Sequence, residues 1–381
     1  MKICYVLDYY EPHIGGVERI FKIISESMVK LGHEAKVVTI KLPGTPAYEE
    51  INGVKIYRVA LPRVYRRFWF SIFSIPTIIN VAKDADIIHT STYGAAISAW
   101  VASRVLRKPC IVMIHEVFGK MFKELFEISG FYAWLLRIFE KIIIKLPYEA
   151  YTCPSLSTRS RMISFGVPEK RSHAIYSALN YDYFDPKKAR PDLVRKKLGL
   201  EGKFVFAFFG RPGPSKGLEY FIPAFEKIAH AVNNAAFLLV VAHDPEFGYL
   251  AVKEMIEKSP VKERIILHDP VPFSPHAKEP CLRDYMAAAD CIVVPSLSEG
   301  FCLVAAEACA LDRPVVATNT TAIPEVLSGR YILVPPRNAD AIADACIRVA
   351  RGKTSITPKK FFTIEENIKS HLKLYESLVK K

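Results

Sequence analysis

The segment Lys2-Ile-Cys-Tyr-Val-Leu-Asp8 decides the fold class, because it is an apolar run of strand length that opens a repeating pattern. A loop containing Gly15 and Gly16 follows it. Apolar residues then recur at three-to-four spacing, which predicts a helix closed by Gly32, and residues 35–40 form a second apolar run. This order of strand, loop, helix and strand is the building unit of a parallel, doubly wound α/β sheet.

The same alternation occurs in both halves of the 381-residue chain. In the first half, strands are predicted at residues 86–89, 110–115, 150–154 and 174–177. In the second half, strands are predicted at residues 203–209, 236–242, 264–267, 291–295, 314–318 and 331–334. At about 150 residues per domain, the length also favours two domains.

We therefore expect an N-terminal Rossmann-like domain at residues 1–180 and a C-terminal Rossmann-like domain at 181–360. A terminal amphipathic helix at 361–381 would pack back on the first domain. The boundary follows from a break near residues 178–200 that is rich in Tyr, Asp, Pro, Lys and Arg. Two such domains would face each other across a cleft, which is where we expect ligands to bind.

Composition limits the location and the partners. The net charge is +13, so the surface should attract phosphorylated metabolites, nucleic acid or an acidic membrane face. Eight cysteines without a CxxC pair indicate reduced thiols in a cytoplasmic protein. We expect no signal peptide, because residues 1–7 run directly into a strand pattern without a small-residue cleavage site. The longest uncharged apolar stretch, 68–82, contains Pro76 and is shorter than the ~20 residues that span a bilayer. We expect a chain that can lie on a membrane without crossing it.

One loop of the second half carries two cations. The segment Phe209-Gly-Arg-Pro-Gly-Pro-Ser-Lys-Gly217 follows a predicted strand and presents Arg211 and Lys216 before the next helix. Fixed cations at such a place can neutralise a departing nucleoside diphosphate without a metal ion. The alternative is that both side chains are solvated loop cations.

A second segment, Glu299-Gly-Phe-Cys-Leu-Val-Ala-Ala-Glu307, holds two carboxylates eight residues apart. We expect residues 301–303 to form the first turn of a helix whose amides hold a phosphate, with Glu299 on the sugar side. Glu307 would lie inside this helix among small apolar residues, where ribose hydroxyls could pair with it; a surface position is the alternative. Carboxylates for hydroxyls and cations for phosphates together indicate a nucleotide sugar.

Other candidates are single residues or short pairs. Gly15 and Gly16 either let a ligand approach the backbone or form a tight turn. His115 ends a predicted strand and is either structural or part of the cleft, and His89 is read in the same way. Asp84-Ala-Asp86 imitates the DxD motif of metal-dependent glycosyltransferases, but it precedes a strand, so we interpret it as a turn. No residue cluster has the spacing of metal ligands, and we expect no metal.

Two stretches mix cations with aromatic rings. The first, Arg63-Val-Tyr-Arg-Arg-Phe-Trp-Phe-Ser-Ile-Phe73, supplies Arg63, Arg66, Arg67 and Trp69. The second runs from Lys120 to Lys145 and includes Lys123. Such stretches suit an anionic bilayer interface, could stack with RNA, or could pack in the core.

Six motifs are distributed along the chain between residues 12 and 325. They are Pro12-His-Ile-Gly-Gly-Val-Glu18, Ile114-His-Glu116, Phe209-Gly-Arg with Lys216-Gly217, Ala289-Asp-Cys-Ile-Val-Val-Pro-Ser-Leu-Ser-Glu-Gly-Phe301 through Glu307, Arg313-Pro-Val-Val-Ala317 and Ile323-Pro-Glu325. In these motifs the sequence resembles the retaining glycosyltransferases of family 4. That resemblance implies the two-domain GT-B fold and transfer without a metal.

The resemblance also implies residue roles. Arg211 and Lys216 would hold the donor diphosphate, Glu299 would contact the transferred sugar, and Glu307 would bind ribose. His115 would lie beside the sugar. The remaining donor-site residues would be Gly15, Gly16, Gly300, Phe301, Cys302 and Leu303.

The sequence departs from the family pattern at several positions. Cys302 replaces a usual glycine, Asp312 stands where glycine is common, and Ser177-Ala178 replaces a frequent Asn-Gly. None of these changes removes a charged donor residue.

We therefore expect a hexosyltransferase that uses a UDP- or GDP-linked sugar. Its acceptor would be a lipid or lipid-linked glycan, and the protein would be a peripheral protein at the inner face of the cell membrane, with no nucleic-acid partner. The alternatives are a soluble acceptor, or a non-catalytic RNA- or lipid-binding protein that keeps the fold.

Overall fold

The computed structural model describes residues 1–13, 15–126, 129–243, 246–273 and 279–379, with only the backbone described at 124–126. The side chain of Phe126 and Ile14 of the Pro12–Glu18 motif therefore lie outside the described residues. The chain divides into two compact units. Unit 1 is Met1–Ala178 with Phe362–Lys381, and unit 2 is Leu179–Phe361.

Unit 1 contains a sheet in which parallel pairing dominates. Its strands within the described ranges are β1 (Lys2–Val6), β2 (Glu34–Ile40), β3 (Tyr48–Ile51), β4 (Val54–Val59), β5 (Ile87–Ser91), β6 (Cys110–Met113), β7 (Ala150–Cys153) and β8 (Ser172–Ala174). Their order is β3-β4-β2-β1-β5-β6-β7-β8, and β3 with β4 is the antiparallel pair. The intervening helices are α1 (Gly16–Lys30), α2 (Arg66–Phe73), α3 (Ile75–Ala82), α4 (Gly94–Leu106), α5 (Met121–Phe126), α6 (Gly130–Lys145) and α7 (Leu156–Ser164).

Unit 2 repeats this plan. Its helices are α8 (Pro191–Leu198), α9 (Leu218–Ala231), α10 (Glu246–Glu257), α11 (Leu282–Ala288), α12 (Leu303–Ala310), α13 (Ile323–Val326) and α14 (Ala339–Ala350). Its strands are β9 (Phe204–Gly210), β10 (Ala235–Val241), β11 (Ile265–His268), β12 (Cys291–Val294), β13 (Val315–Thr318), β14 (Gly329–Val334) and β15 (Ser355–Thr357). The order is β11-β10-β9-β12-β13-β14-β15, parallel except for β14 with β15.

The last helix, α15 (Ile364–Val379), belongs to unit 1. Its buried Tyr375 packs in one apolar cluster with Phe21 of α1 and Tyr5 of β1. The neighbouring residues Cys4 and Val6 of β1 face the opposite cluster, because side chains alternate along a strand. Both faces of this sheet are therefore covered, as is usual for parallel sheets.

Several predicted boundaries are wrong. β5 continues to Ser91, so His89 lies inside the strand and not at its end. β6 ends at Met113, which leaves His115 two residues beyond it. The strand predicted at 174–177 is β8, which ends at Ala174.

The β3–β4 hairpin was missed, although its turn has a sequence signal. Asn52 and Gly53 connect the two strands and have φ values of 51° and 80°. Asn-Gly is the residue pair that a two-residue hairpin turn with positive φ favours. The polar strand that precedes this turn carries little apolar pattern, which is why periodicity alone did not reveal it.

Candidate functional site

In unit 2, the loop after β9 lies against the end of β12. Lys216 closes a short 3-10 turn at Pro214–Lys216, and its N–H donates to the Gly213 carbonyl at 2.9 Å. Gly217 follows with φ of +68°, and a Cβ on it would lie 2.0 Å from the Pro295 carbonyl oxygen. Only glycine allows this close approach without a shift of the backbone.

This approach brings a cation and a carboxylate together. Lys216 Nζ lies 2.8 Å from Glu299 Oε1, and Ser296 Oγ donates to the same oxygen at 2.8 Å. The Glu299 N–H donates to Thr321 Oγ1 at 2.9 Å. Thr321 has φ of +43°, which is rare for a β-branched residue and common at functional sites. Three loops, after β9, β12 and β13, therefore converge on Glu299.

Glu307 lies within α12, as predicted, and is only 2% exposed. The start of the helix was predicted wrongly. α12 begins at Leu303, and Cys302 before it has φ of +80°, a left-handed conformation that interrupts the helix. Gly300, Phe301 and Cys302 thus form the approach to α12 instead of its first turn. Burial raises the pKa of the Cys302 thiol well above its usual value, and the nearby Glu299 acts in the same direction.

Arg211 does not join this arrangement. It is exposed and makes no hydrogen bond or ion pair with the part of the chain that the structure describes. Of the two predicted cations, the structure brings only Lys216 to Glu299.

In unit 1, the glycine pair begins α1. Gly15 is the extended N-cap residue and Gly16 is the first helical residue. A Cβ on Gly15 would lie 2.2 Å from Glu18 Oε2, so this glycine makes room for the Glu18 carboxylate. The other oxygen, Glu18 Oε1, lies 3.0 Å from His13 Nδ1. The space beside Gly15 is therefore taken by a side chain of the same helix, and the approach of a ligand to this glycine stays a prediction.

His115 lies near this helix. Its ring centroid is 6.3 Å from that of Phe21 in α1. Burial lowers the pKa of His115 to about 4, against an opposing effect of Glu18. Its Nε2 is buried and has no hydrogen-bond partner among the described residues. A neutral imidazole with an unpaired nitrogen remains suitable for contact with a ligand.

His89 is structural. The residue is fully buried in β5, and its Nδ1 lies 2.6 Å from Tyr375 Oη of α15. The interpretation of Asp84-Ala-Asp86 as a turn is confirmed. Asp84 Oδ1 accepts from Lys36 Nζ at 2.6 Å, and Asp86 Oδ2 accepts from the Lys2 N–H at 2.7 Å. The hydrogen bond from Lys36 lowers the pKa of Asp84 to about 2.

The residues predicted to contact a membrane lie on unit 1. Four of them, Arg63, Arg67, Lys120 and Lys123, are exposed, whereas Arg66 and Trp69 are half-buried. Among the described residues, no helix combines the length and the apolar character needed to cross a bilayer.

The sequence reasoning missed Ser296 and Thr321. Both are hydroxyl residues in loops at the carboxyl ends of neighbouring strands, β12 and β13. That placement was the available signal, because open parallel sheets bind ligands at this edge.

Two family models match the two halves of the chain. Residues 14–183 match Glycosyltransferase Family 4, and residues 203–351 match Glycosyl transferases group 1. The chain belongs to this family of glycosyltransferases and has the two-domain α/β architecture of the GT-B fold.

Individual relatives agree with this assignment. An uncharacterized glycosyltransferase of Methanocaldococcus jannaschii is 28% identical over 92% of this chain and 89% of that protein. The phosphatidylinositol N-acetylglucosaminyltransferase GPI3 subunit of Saccharomyces cerevisiae is 25% identical over 85% of this chain and 69% of its own length.

Solved structures show the same fold. Sucrose-phosphate synthase of Thermosynechococcus elongatus superimposes with a TM-score of 0.79 at 19% identity, over 100% of both chains. Anabaena HepE, solved in complex with UDP-glucose, has a TM-score of 0.74 at 16% identity, over 99% of this chain and 100% of that one.

Proposed function

We propose that this protein is a retaining, metal-independent glycosyltransferase that moves a hexose from a UDP- or GDP-linked sugar to a lipid or lipid-linked glycan. It would act as a peripheral protein at the inner face of the cell membrane. The observation that carries the proposal is the 2.8 Å ion pair between Lys216 Nζ and Glu299 Oε1, at the carboxyl ends of adjacent strands. The ammonium suits a leaving diphosphate, and the carboxylate suits the sugar hydroxyls beside it.

The other site residues complete this assignment. Arg211, exposed in the same loop, provides the second cation once a diphosphate is present. Glu307 binds ribose from within α12, where a buried carboxylate is stabilised by hydroxyl donors. His115 remains neutral at physiological pH because burial depresses its pKa, and it contacts the sugar.

The leaving phosphate assists deprotonation of the acceptor on the same face of the sugar, so the anomeric configuration is retained. Fixed cations neutralise the developing charge, and we therefore expect full activity in EDTA. An inverted product, identified by NMR of its anomeric proton, would contradict the mechanism.

The relatives support the substrate classes. HepE has been solved with UDP-glucose, which supports a nucleotide-sugar donor. The yeast GPI3 subunit and a human relative are both named as parts of phosphatidylinositol N-acetylglucosaminyltransferases, which supports a lipid acceptor.

The donor is tested by thermal shift with UDP, GDP, ADP, CMP and a short RNA. A ligand at 100 times its Kd adds about 2.7 kcal/mol, a shift of roughly 5–10 °C. We expect a response to one nucleoside diphosphate that Glu307→Ala abolishes. A response to RNA alone would instead identify a non-catalytic binding protein.

The role of Lys216 is tested by transfer assays on Lys216→Ala, which should lose activity and keep its fold. Lys227→Ala is the matched control, because Lys227 pairs with Asp340 and Asp344 at 3.1 and 2.9 Å on the surface of the same unit. Near-normal turnover in Lys216→Ala would contradict its diphosphate role.

A further inference from the structure

Helix α6 exposes an unusual number of large apolar side chains. Seven of them are at least 37% exposed: Phe131, Tyr132, Trp134, Leu135, Ile138, Phe139 and Ile142. Tyr65, at the start of α2, and Phe68, Ile72 and Phe73 within it are also exposed. An apolar surface of this extent on a protein marks an interaction site.

The charges on the outer surface of these two helices have one sign. The exposed charged residues of α6 are Arg137, Lys141 and Lys145, and α2 contributes the exposed Arg67 and the half-buried Arg66. The acidic residue of α6, Glu140, is 1% exposed and points inward. The outer surface is therefore apolar and cationic, which is complementary to anionic lipid.

Glu140 also explains how α6 is held in place. Its carboxylate accepts from the backbone N–H groups of Phe118 and Gly119 and from Tyr93 Oη, each at 2.8 Å. A buried carboxylate with three donors is well stabilised. This inner attachment leaves the apolar side chains of α6 on the outside.

The two helices flank the same end of α4. Tyr93 precedes α4 and donates to Glu140 of α6, whereas Ser71 of α2 donates to the carbonyl of the adjacent Gly94 at 2.9 Å. We call the exposed residues of α2 and α6 together the docking surface.

The docking surface contains a shallow groove of about 370 Å³. It is lined by Ile138, Lys141, Ile142, Lys145 and Leu146. The apolar residues suit an acyl chain, and the two lysines can pair with a lipid phosphate. At ~1.5 Å per residue, α6 is about 24 Å long, shorter than the ~30 Å hydrocarbon core, so it suits the plane of the interface.

We propose that the docking surface inserts into the interface of an anionic bilayer, with the groove on α6 holding a lipid. This inference rests on the proposed function, because it identifies the surface by which the enzyme would reach a lipid acceptor.

The experiment measures partition of the full chain into phosphatidylcholine vesicles with and without 30% phosphatidylglycerol, a composition chosen as the probe. We expect binding to the anionic vesicles. Lys141→Gln with Lys145→Gln should weaken it about 30-fold, because each basic residue near an anionic surface contributes roughly fivefold. The control, Lys187→Gln with Lys196→Gln, removes the same charge from exposed sites of unit 2 and should leave binding unchanged.

The apolar part is tested with Phe131→Ser against Phe247→Ser, because the two phenylalanines are 70% and 69% exposed. Insertion is read from tryptophan fluorescence. The chain has three tryptophans, so Trp69→Phe with Trp100→Phe leaves Trp134 alone. Brominated lipid should quench Trp134.

Equal partition of the test and control variants, or an unquenched Trp134, would overturn the proposal. The proposal would also be overturned if the protein does not bind vesicles and forms a dimer that Phe131→Ser dissociates, because a second copy of the chain would then cover the docking surface. The nucleotide thermal shift of each variant separates the two proposals. Vesicle binding without any nucleotide response would refute the proposed enzymatic function and keep the proposed membrane role of the docking surface. A nucleotide response without vesicle binding would refute only the membrane role.

Discussion

Substitution of Gly217 by alanine should damage the candidate donor site through one contact. A Cβ at this position would lie 2.0 Å from the Pro295 carbonyl oxygen, which is backbone and cannot rotate away. The loop after β9 would have to move. Its movement would break the hydrogen bond from the Leu297 N–H to the Ser215 carbonyl, now 2.7 Å, and would separate Lys216 from Glu299.

The loss in the free energy of unfolding caused by Gly217→Ala has two parts that can be measured separately. A left-handed alanine costs about 1–2 kcal/mol compared with glycine. Relief of the steric overlap adds about 1–3 kcal/mol, the usual cost of overpacking. Gly199 isolates the first part, because its φ is +64° and a Cβ on it would meet nothing within 4 Å.

The assay compares thermal unfolding of Gly217→Ala and Gly199→Ala, with and without the nucleoside diphosphate that stabilises the wild type. At about 2–4 °C per kcal/mol for a unit of this size, we expect Gly217→Ala to unfold roughly 2–12 °C below Gly199→Ala. It should also lose the nucleotide response, which Gly199→Ala keeps. Equal unfolding temperatures and equal nucleotide responses in the two variants would refute the reasoning.

Two further predictions concern unit 1. His371 is fully buried, and burial lowers its pKa to about 4, so the unfolded chain binds a proton below pH 6.5 that the folded protein does not bind. The free energy of unfolding should therefore fall as the pH drops from 6.5 toward 4, by about 2 kcal/mol at pH 5. Urea unfolding at pH 7 and 5 should show a loss that is about 2 kcal/mol smaller in His371→Gln than in the wild type and in the exposed control His230→Gln, because the buried His115 still contributes in all three. An equal loss in all three would contradict it. Glu140→Gln should lower the free energy of unfolding by about 1–3 kcal/mol, because an amide nitrogen cannot accept from the Gly119 N–H. Thermal unfolding beside the exposed control Glu257→Gln measures this, and equal melting temperatures would exclude the role of the carboxylate.

Much of the fold could be predicted because its signals are local. Apolar runs identified β1, β2 and the central strands of unit 2, and three-to-four spacing identified α1. The small residues around Glu307 correctly indicated a buried helix. Element boundaries were predicted less accurately. For example, α12 begins at Leu303 and not at residue 301, because Cys302 has a left-handed conformation.

The failures at the candidate sites have a different origin. His89 was predicted at a strand end, but β5 runs two residues further and α15 covers the ring with Tyr375, 286 residues away in sequence. Lys216 lies against Glu299 whereas Arg211 of the same loop is exposed, and the diphosphate role predicted for both cations stays a prediction. No local pattern distinguishes two cations of one loop.

The sequence by itself determined the α/β class, the family and the residue types of the candidate donor site, because these depend on periodicity and on motifs within short segments. Only the tertiary structure decided which of those residues meet. Lys216 and Glu299 are 83 residues apart and lie 2.8 Å from each other because β9 pairs with β12 and Gly217 permits the close approach. The tertiary structure also decided that Glu140 points inward while the aromatic residues of α6 face out. A buried carboxylate needs hydrogen-bond donors, and the fold supplies them to Glu140 on the inner side of the helix.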